Sequence, residues 1–145
     1  MSIHHLLFVS VCLFWAYLLV CLALKLALDV YQRRHLRQAT HQVDLFFAPG
    51  QSFQQRETAF PKIRRLCADR RVLRHVCDSY ADLPESFPEH EKADLMLWVQ
   101  QLLRLRIKGL HRDDHLSRAA LAWEIRRCAL PSESLQEFAR ETAVK

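Results

Sequence analysis

Residues 6–24 form an unbroken apolar run, LLFVSVCLFWAYLLVCLAL, that contains no charged residue before Lys25. A helix rises about 1.5 Å per residue, so nineteen residues span close to the ~30 Å hydrocarbon core of a bilayer. The long side chain of Lys25 extends readily to the lipid headgroups. The pattern therefore predicts a transmembrane helix near the N-terminus.

The apolar run has three other possible interpretations. A cleaved signal peptide needs a basic N-terminal region, a shorter apolar core and a small-residue cleavage site, and none stands out here. A lipoprotein signal needs a small residue before its cysteine, whereas Val20 precedes Cys21. A buried core helix is the third interpretation. Trp15 and Tyr17, within an almost wholly apolar segment, favour the bilayer and are predicted to contact lipid.

Helical periodicity continues beyond the apolar run. In residues 29–47, apolar side chains recur at helical spacing, and Pro49-Gly50 then predicts a break. This pattern indicates that the membrane helix extends into the aqueous phase. The chain is thus expected to comprise a transmembrane anchor (1–28), a basic juxtamembrane helix and turn (29–50), and a helical domain (51–145).

Four or five short helices are predicted in the last segment. Pro61 is expected in a first helical turn, and the apolar stripe that follows fits one helix or two broken near Asp69. Another helix is expected from Glu89 to Leu110 with Gly109 as its stop, and a further one capped by Asp113 or Asp114. Ser134-x-x-Glu137 is predicted to be a capping box. With only two glycines in the chain, the fold class is all-α.

Basic charge is concentrated beside the anchor. The formal charge is +5, but residues 30–76 hold ten Lys/Arg against three acids, and residues 77–145 hold ten against twelve. Arg33, Arg34 and Arg37 follow the helix and no Lys or Arg precedes it, so the positive-inside rule predicts a cytosolic C-terminal domain at an inner or plasma membrane. These arginines and Lys25 are predicted to contact anionic headgroups, at about 1 kcal/mol each.

The arginine pairs at 33–34, 64–65 and 70–71 could also bind RNA or DNA. They lack interleaved aromatic residues of the kind that stack on bases, so lipid contact and topology are favoured and no nucleic-acid partner is expected. Phe46, Phe47, Phe53 and Phe60 flank the Pro49-Gly50 turn. They are predicted to form a small core, or alternatively an exposed surface for a partner.

Little in the sequence suggests catalysis or a cofactor. His111 and His115 have a spacing that could hold a metal on a helix, but no third ligand is placed. His75 and Cys77 would not face each other on a helix, and no phosphate-binding loop or nucleophile elbow occurs. The five cysteines are odd in number and lack a CxxC pair, which indicates reduced thiols. A non-enzymatic protein without cofactor is expected.

Residues 110–138 resemble a HEAT-repeat unit, an antiparallel pair of helices. The matching positions are Asp113, Asp114, Arg118, Ala119, Ala120, Leu121, Ile125, Pro131, Leu135 and Phe138. The sequence departs from the family at Arg126, where a small residue is common. The order of elements is also similar to that of bacterial membrane-anchored HEAT-like proteins. This resemblance implies a protein-binding surface.

These observations together predict a membrane-tethered interaction or scaffold module whose protein partner is a subunit of a membrane complex. The alternative is an accessory single-pass subunit whose transmembrane helix packs against other membrane helices and stabilises an enzyme, secretion or transport complex. The two predictions differ in what they require of the anchor, since a tether needs only hydrophobicity and an accessory subunit needs specific side chains.

Overall fold

The computed structural model describes Ile3–Ala143, so the ends of the predicted anchor (1–2) and of the predicted domain (144–145) lie outside the described residues. Within that range the chain is all-helical and contains no strand. The six helices are α1 (Ile3–Phe47), α2 (Phe53–Leu66), α3 (Arg70–Ala81), α4 (Glu89–Lys108), α5 (His115–Cys128) and α6 (Glu133–Ala143). The all-α prediction is confirmed for this part of the chain, as is a long first helix followed by five short ones.

The chain divides into two units between Gln38 and Ala39. Residues 3–38, the described part of the N-terminal unit, are helical throughout, because they contain neither glycine nor proline and are rich in leucine. Its large apolar side chains are exposed, and none of the most apolar stretch is buried by the rest of the chain. By length and composition, α1 can cross a membrane, as predicted.

Helix α1 runs for 45 residues, or about 68 Å at 1.5 Å per residue, without a break after the apolar run. It ends at Phe47, where the amide of Ala48 turns back to the carbonyl of Leu45. Gly50 follows with φ of +81°, a value that other residues adopt only with strain. The predicted stop at Pro49-Gly50 is therefore confirmed.

The last turns of α1 belong to the core of the C-terminal unit. Ala39, Val43 and Phe46 are buried at helical spacing, while the intervening residues are more exposed. The same core takes in apolar side chains from the other five helices. Its most completely buried members include Leu95, Leu103, Ile125, Leu130, Leu135, Val72, Val76 and Val99.

Helices α2 and α3 are separate, which answers the question that the apolar stripe left open. Ser52 and Gln55 form a capping box that starts α2, so Pro61 lies inside this helix and not in its first turn as predicted. The capping box fixes the start eight residues upstream of the position that the proline suggested. Asp69 accepts a hydrogen bond from the amide of Arg71 and thereby begins α3.

Helix α4 ends at Gly109 as predicted, and Asp114 caps α5 by accepting a hydrogen bond from the amide of Ser117. This hydrogen bond also lowers the pKa of Asp114. The predicted capping box at Ser134 and Glu137 is wrong. Helix α6 begins at Glu133, so Ser134 already lies in its first turn, and its hydroxyl is 3.2 Å from that of Ser132.

Candidate partner-binding surfaces

The residues predicted to contact lipid are all exposed on α1. Trp15 and Tyr17 are 60% and 66% exposed, and Lys25, Arg33 and Arg34 are also on the surface. Arg37, one turn further along, is exposed as well. Exposure of large aromatic and apolar side chains along the apolar run is costly in water and favourable in lipid, and the six positions remain predicted lipid contacts.

The predicted phenylalanine surface needs correction. Phe46, Phe47 and Phe60 are only 5%, 7% and 8% exposed, and they belong to the core of the C-terminal unit. Only Phe53 is substantially exposed, at 52%. The helical pattern explains the difference: Phe46 and Phe47 lie on the buried side of α1, and Phe60 lies on the side of α2 that carries Ile63. The core interpretation therefore describes three of the four residues.

Phe53 extends an aromatic stack on this side of the C-terminal unit. Its ring centroid is 5.4 Å from that of Trp98, which in turn is 4.7 Å from the ring of Phe60. The stack joins α2 to α4 and buries the inner ring of Phe60. Phe53 thus stabilises packing with one ring face while the remainder of its side chain stays in contact with solvent.

A buried ion pair holds the turn after α1. Arg56 is 1% exposed and donates hydrogen bonds to the carbonyls of Phe46 (3.2 Å) and Ala48 (3.0 Å) and to the carboxylate of Glu91 (2.8 Å). The same carboxylate accepts a hydrogen bond from the amide of Gly50. The hydrogen bond from Arg56 lowers the pKa of Glu91. One side chain thereby joins α1, α2 and α4.

An arginine-rich groove lies between α3 and α5. Its wider part has a volume of about 450 Å³, and a smaller depression of about 80 Å³ adjoins it. Arg70, Ala120 and Glu124 line both parts. The remaining residues are Arg71, Arg74 and Trp123 in the wider part, and Leu73, Arg106, Leu110, Ser117 and Leu121 in the smaller one. We call this set the α3–α5 groove.

Trp123 is the aromatic residue of the α3–α5 groove. It is 49% exposed because α5 turns its other side, with Leu121 and Ile125, into the core. The guanidinium carbons of Arg74 and Arg127 lie 5.7 and 4.9 Å from its ring centroid. Cation–π contacts of this kind hold a large ring at the surface beside positive charge.

The carboxylate of Glu124 lies at the base of the groove, with its side chain 11% exposed. Burial raises the pKa of Glu124, against the opposing effect of Arg127, whose guanidinium is 2.9 Å from the carboxylate. Arg127 also contacts Asp78, while Arg74 is 4.0 Å from Glu124. Glu124 therefore lies between Arg74 of α3 and Arg127 of α5, and the side chain of Arg74 remains 61% exposed.

Arg70 and Arg71 are recognisable in the sequence as an arginine pair, but the groove is not. The pair has no aromatic residue beside it along the chain, because Trp123 is more than fifty positions away. The packing of α3 against α5 brings Trp123 to Arg74. The available signal was the position of Trp123 outside the apolar stripe of α5.

The candidate catalytic and metal-binding residues do not assemble into a site. Among the described residues, no three His, Cys, Asp or Glu side chains are grouped to hold a metal. The ring of His75 is 2.7 Å from the carboxylate of Asp44, whereas Cys77 is fully buried near Cys128. A hydrogen bond with Cys128 and burial raise the pKa of Cys77, and burial raises that of Cys67 to about 12. These shifts favour the protonated forms of Cys67 and Cys77.

Comparison of the chain with protein-family models, with curated proteins and with solved structures gives no significant match.

Proposed function

We propose that this chain is a membrane-tethered, non-enzymatic protein-interaction module whose C-terminal unit lies in the cytosol. The observation that carries the proposal is the continuity of α1: an exposed apolar segment long enough to span a bilayer runs without a break into turns that are buried in a helical core. Such a helix holds the unit close to the membrane. The orientation rests on the arginines that follow the apolar run.

We further propose that α5 and α6 form a HEAT-like pair, and their packing supports this. The two helices pack together, separated by a short connection in which Ala129 adopts a left-handed conformation. Arg126, at which the chain departs from the HEAT pattern, donates a hydrogen bond of 2.8 Å to the carbonyl of Ala139 in α6. The long side chain thus stabilises the pair. HEAT-like units commonly serve as binding surfaces, and the α3–α5 groove is a concave surface of mixed apolar and charged character that suits the purpose.

An accessory subunit of a larger membrane complex is the second candidate. A simple tether can be flexible, whereas α1 has neither glycine nor proline between its apolar run and Phe47. This observation favours a helix that packs against specific membrane partners.

Replacing residues 1–28 with an unrelated transmembrane helix separates the two candidates. The full-length chain is purified in mild detergent from its native membrane, and co-purifying proteins are quantified by mass spectrometry against the chimaera. A stoichiometric partner retained by the chimaera supports the tethered module. A partner lost at equal expression and localisation supports the accessory subunit. A chain that purifies without any partner from both samples contradicts both.

A further inference from the structure

We propose that the α3–α5 groove binds an acidic segment of a protein partner, with carboxylates held by Arg70 and Arg74 and an apolar side chain placed beside Ala120 and Trp123. This inference rests on the proposed function, since it names the chemistry of the partner that such a module would hold. It assigns binding to the surface between two helices and not to the basic residues beside the anchor.

The α3–α5 groove contains arginine side chains whose positive charge is not fully paired within the chain. Glu124 is neutralised mainly by Arg127, whose guanidinium is 2.9 Å away, and Arg71 is paired with Asp69 at 2.9 Å. Arg74 is 61% exposed and only reaches 4.0 Å from Glu124. Arg70 lies one turn before Arg74 on the exposed side of α3. The guanidinium groups of Arg70 and Arg74 therefore have N–H groups that can donate hydrogen bonds to a pair of carboxylates. Arginine commonly binds a carboxylate in a bidentate manner.

The apolar content of the groove argues for a polypeptide ligand. Trp123 is half exposed beside Ala120, whose small side chain leaves the space of about 450 Å³ open. Trp and Arg are the residues most enriched at the energetic centres of protein interfaces. A concave surface that combines both suits a segment in which an apolar side chain alternates with acidic ones, because burial of that side chain adds to the ionic contacts.

Two other anionic ligands fit the groove less well. The groove is concave and places Ala120 and Trp123 beside its arginines, and a flat layer of anionic headgroups would not contact these apolar side chains. Nucleic acid would require open aromatic faces for its bases, whereas the ring of Trp123 already contacts the guanidinium groups of Arg74 and Arg127. A peptide can place its carboxylates at Arg70 and Arg74 and avoid Glu124.

The test uses the full-length chain in nanodiscs of phosphatidylcholine, with short random peptides displayed on phage as the probe. Selected peptides are synthesised and their Kd is measured for four chains: the natural one, Arg70→Glu/Arg74→Gln, Ala120→Phe and the control Arg65→Glu/Lys108→Gln. The control changes the formal charge by the same amount at exposed residues outside the groove. Ala120→Phe fills the groove without changing its charge. Thermal unfolding of each variant verifies the fold.

We expect selected peptides to be rich in Asp and Glu with a large apolar residue. Their affinity should fall by about tenfold or more in Arg70→Glu/Arg74→Gln and in Ala120→Phe, because charge-assisted hydrogen bonds and a buried side chain are lost, and should be nearly unchanged in the control. The inference is overturned if no peptide is enriched, if the selected peptides are not acidic, or if the groove variants bind them as well as the natural chain does.

A lipid arm and a partner arm complete the experiment. Each nanodisc sample is also floated with vesicles that contain or lack phosphatidylserine. If the chain binds phosphatidylserine vesicles more tightly than the selected peptides, and this vesicle binding depends on Arg70 and Arg74, the groove is assigned to lipid and the inference is overturned. A membrane partner that co-purifies equally with the natural chain and with Arg70→Glu/Arg74→Gln would overturn the groove assignment while leaving the tethered module intact. Absence of any co-purifying partner would instead contradict the proposed function.

Discussion

Replacement of Arg56 by methionine should destabilise the C-terminal unit more than any exposed arginine substitution does. Arg56 is 1% exposed, and its guanidinium donates to two backbone carbonyls and to Glu91, whose side chain is 11% exposed. Methionine is similar in length and apolar, so the variant mainly removes charge and donors. It leaves the Glu91 carboxylate and the carbonyl of Phe46 without their partner in a region with little access to water.

The expected loss is about 3–5 kcal/mol, the usual result of removing one partner from a buried ion pair. In a domain of roughly 100 residues, each kcal/mol corresponds to about 4–8 °C, so Tm should fall by more than about 10 °C. The matched control is Arg71→Met. The Arg71–Asp69 ion pair is about as short (2.9 Å) as the Arg56–Glu91 pair (2.8 Å), but the side chain of Arg71 is 58% exposed. Exposed pairs contribute about 0–1 kcal/mol, and its Tm should change little.

Thermal unfolding of the full-length chain in dodecyl maltoside, followed by tryptophan fluorescence in a Trp15→Phe background, measures the effect. The remaining fluorophores, Trp98 and Trp123, both lie in the C-terminal unit. Combining Arg56→Met with Glu91→Leu should recover part of the loss, because the orphaned carboxylate is removed. Equal Tm values for Arg56→Met and Arg71→Met would refute the reasoning that burial makes this ion pair important.

Three further predictions concern titration, thiol access and backbone strain. Because the pKa of Glu91 is lowered from its usual 4.5 in the fold, its contribution to stability is present above that pH and is lost on acidification; Glu91→Gln should therefore flatten the decrease in Tm below about pH 5, and an unchanged slope would contradict this. A charged maleimide at neutral pH should label none of the five cysteines of the chain in lipid nanodiscs and all five in denaturant, since Cys67, Cys77 and Cys128 are buried and Cys12 and Cys21 lie in the apolar run; rapid labelling of Cys12 would place that segment in water. Ala129→Gly should raise Tm by a few degrees, or about 0.5–1 kcal/mol, because Ala129 has φ of 48°, and a lower Tm would show that the left-handed conformation carries no strain there.

Local signals in the sequence determined the helices and several of their ends. The uncharged run before Lys25 predicted a span-length helix, Gly109 predicted the end of α4, and Asp114 was one of two predicted caps of α5. These features depend on hydrophobic length, on backbone conformation and on hydrogen bonds between neighbours, all of which involve residues within a few positions of one another. Pro61 and Ser134 show the limit of such signals. Pro61 was predicted in a first helical turn but lies inside α2, and Ser134 was predicted to be an N-cap but lies in the first turn of α6.

Only the tertiary structure decided which side chains are buried and which meet across helices. The sequence could not separate the core role of Phe46, Phe47 and Phe60 from the exposed position of Phe53, because all four flank the same turn. Nor could it bring Arg56 to Glu91, 35 positions later, or Arg74 to Trp123. Hydrophobic periodicity determines which face of a helix turns inwards, but the partner of that face depends on how all six helices fill one core, and the groove between α3 and α5 exists only as a consequence of that packing.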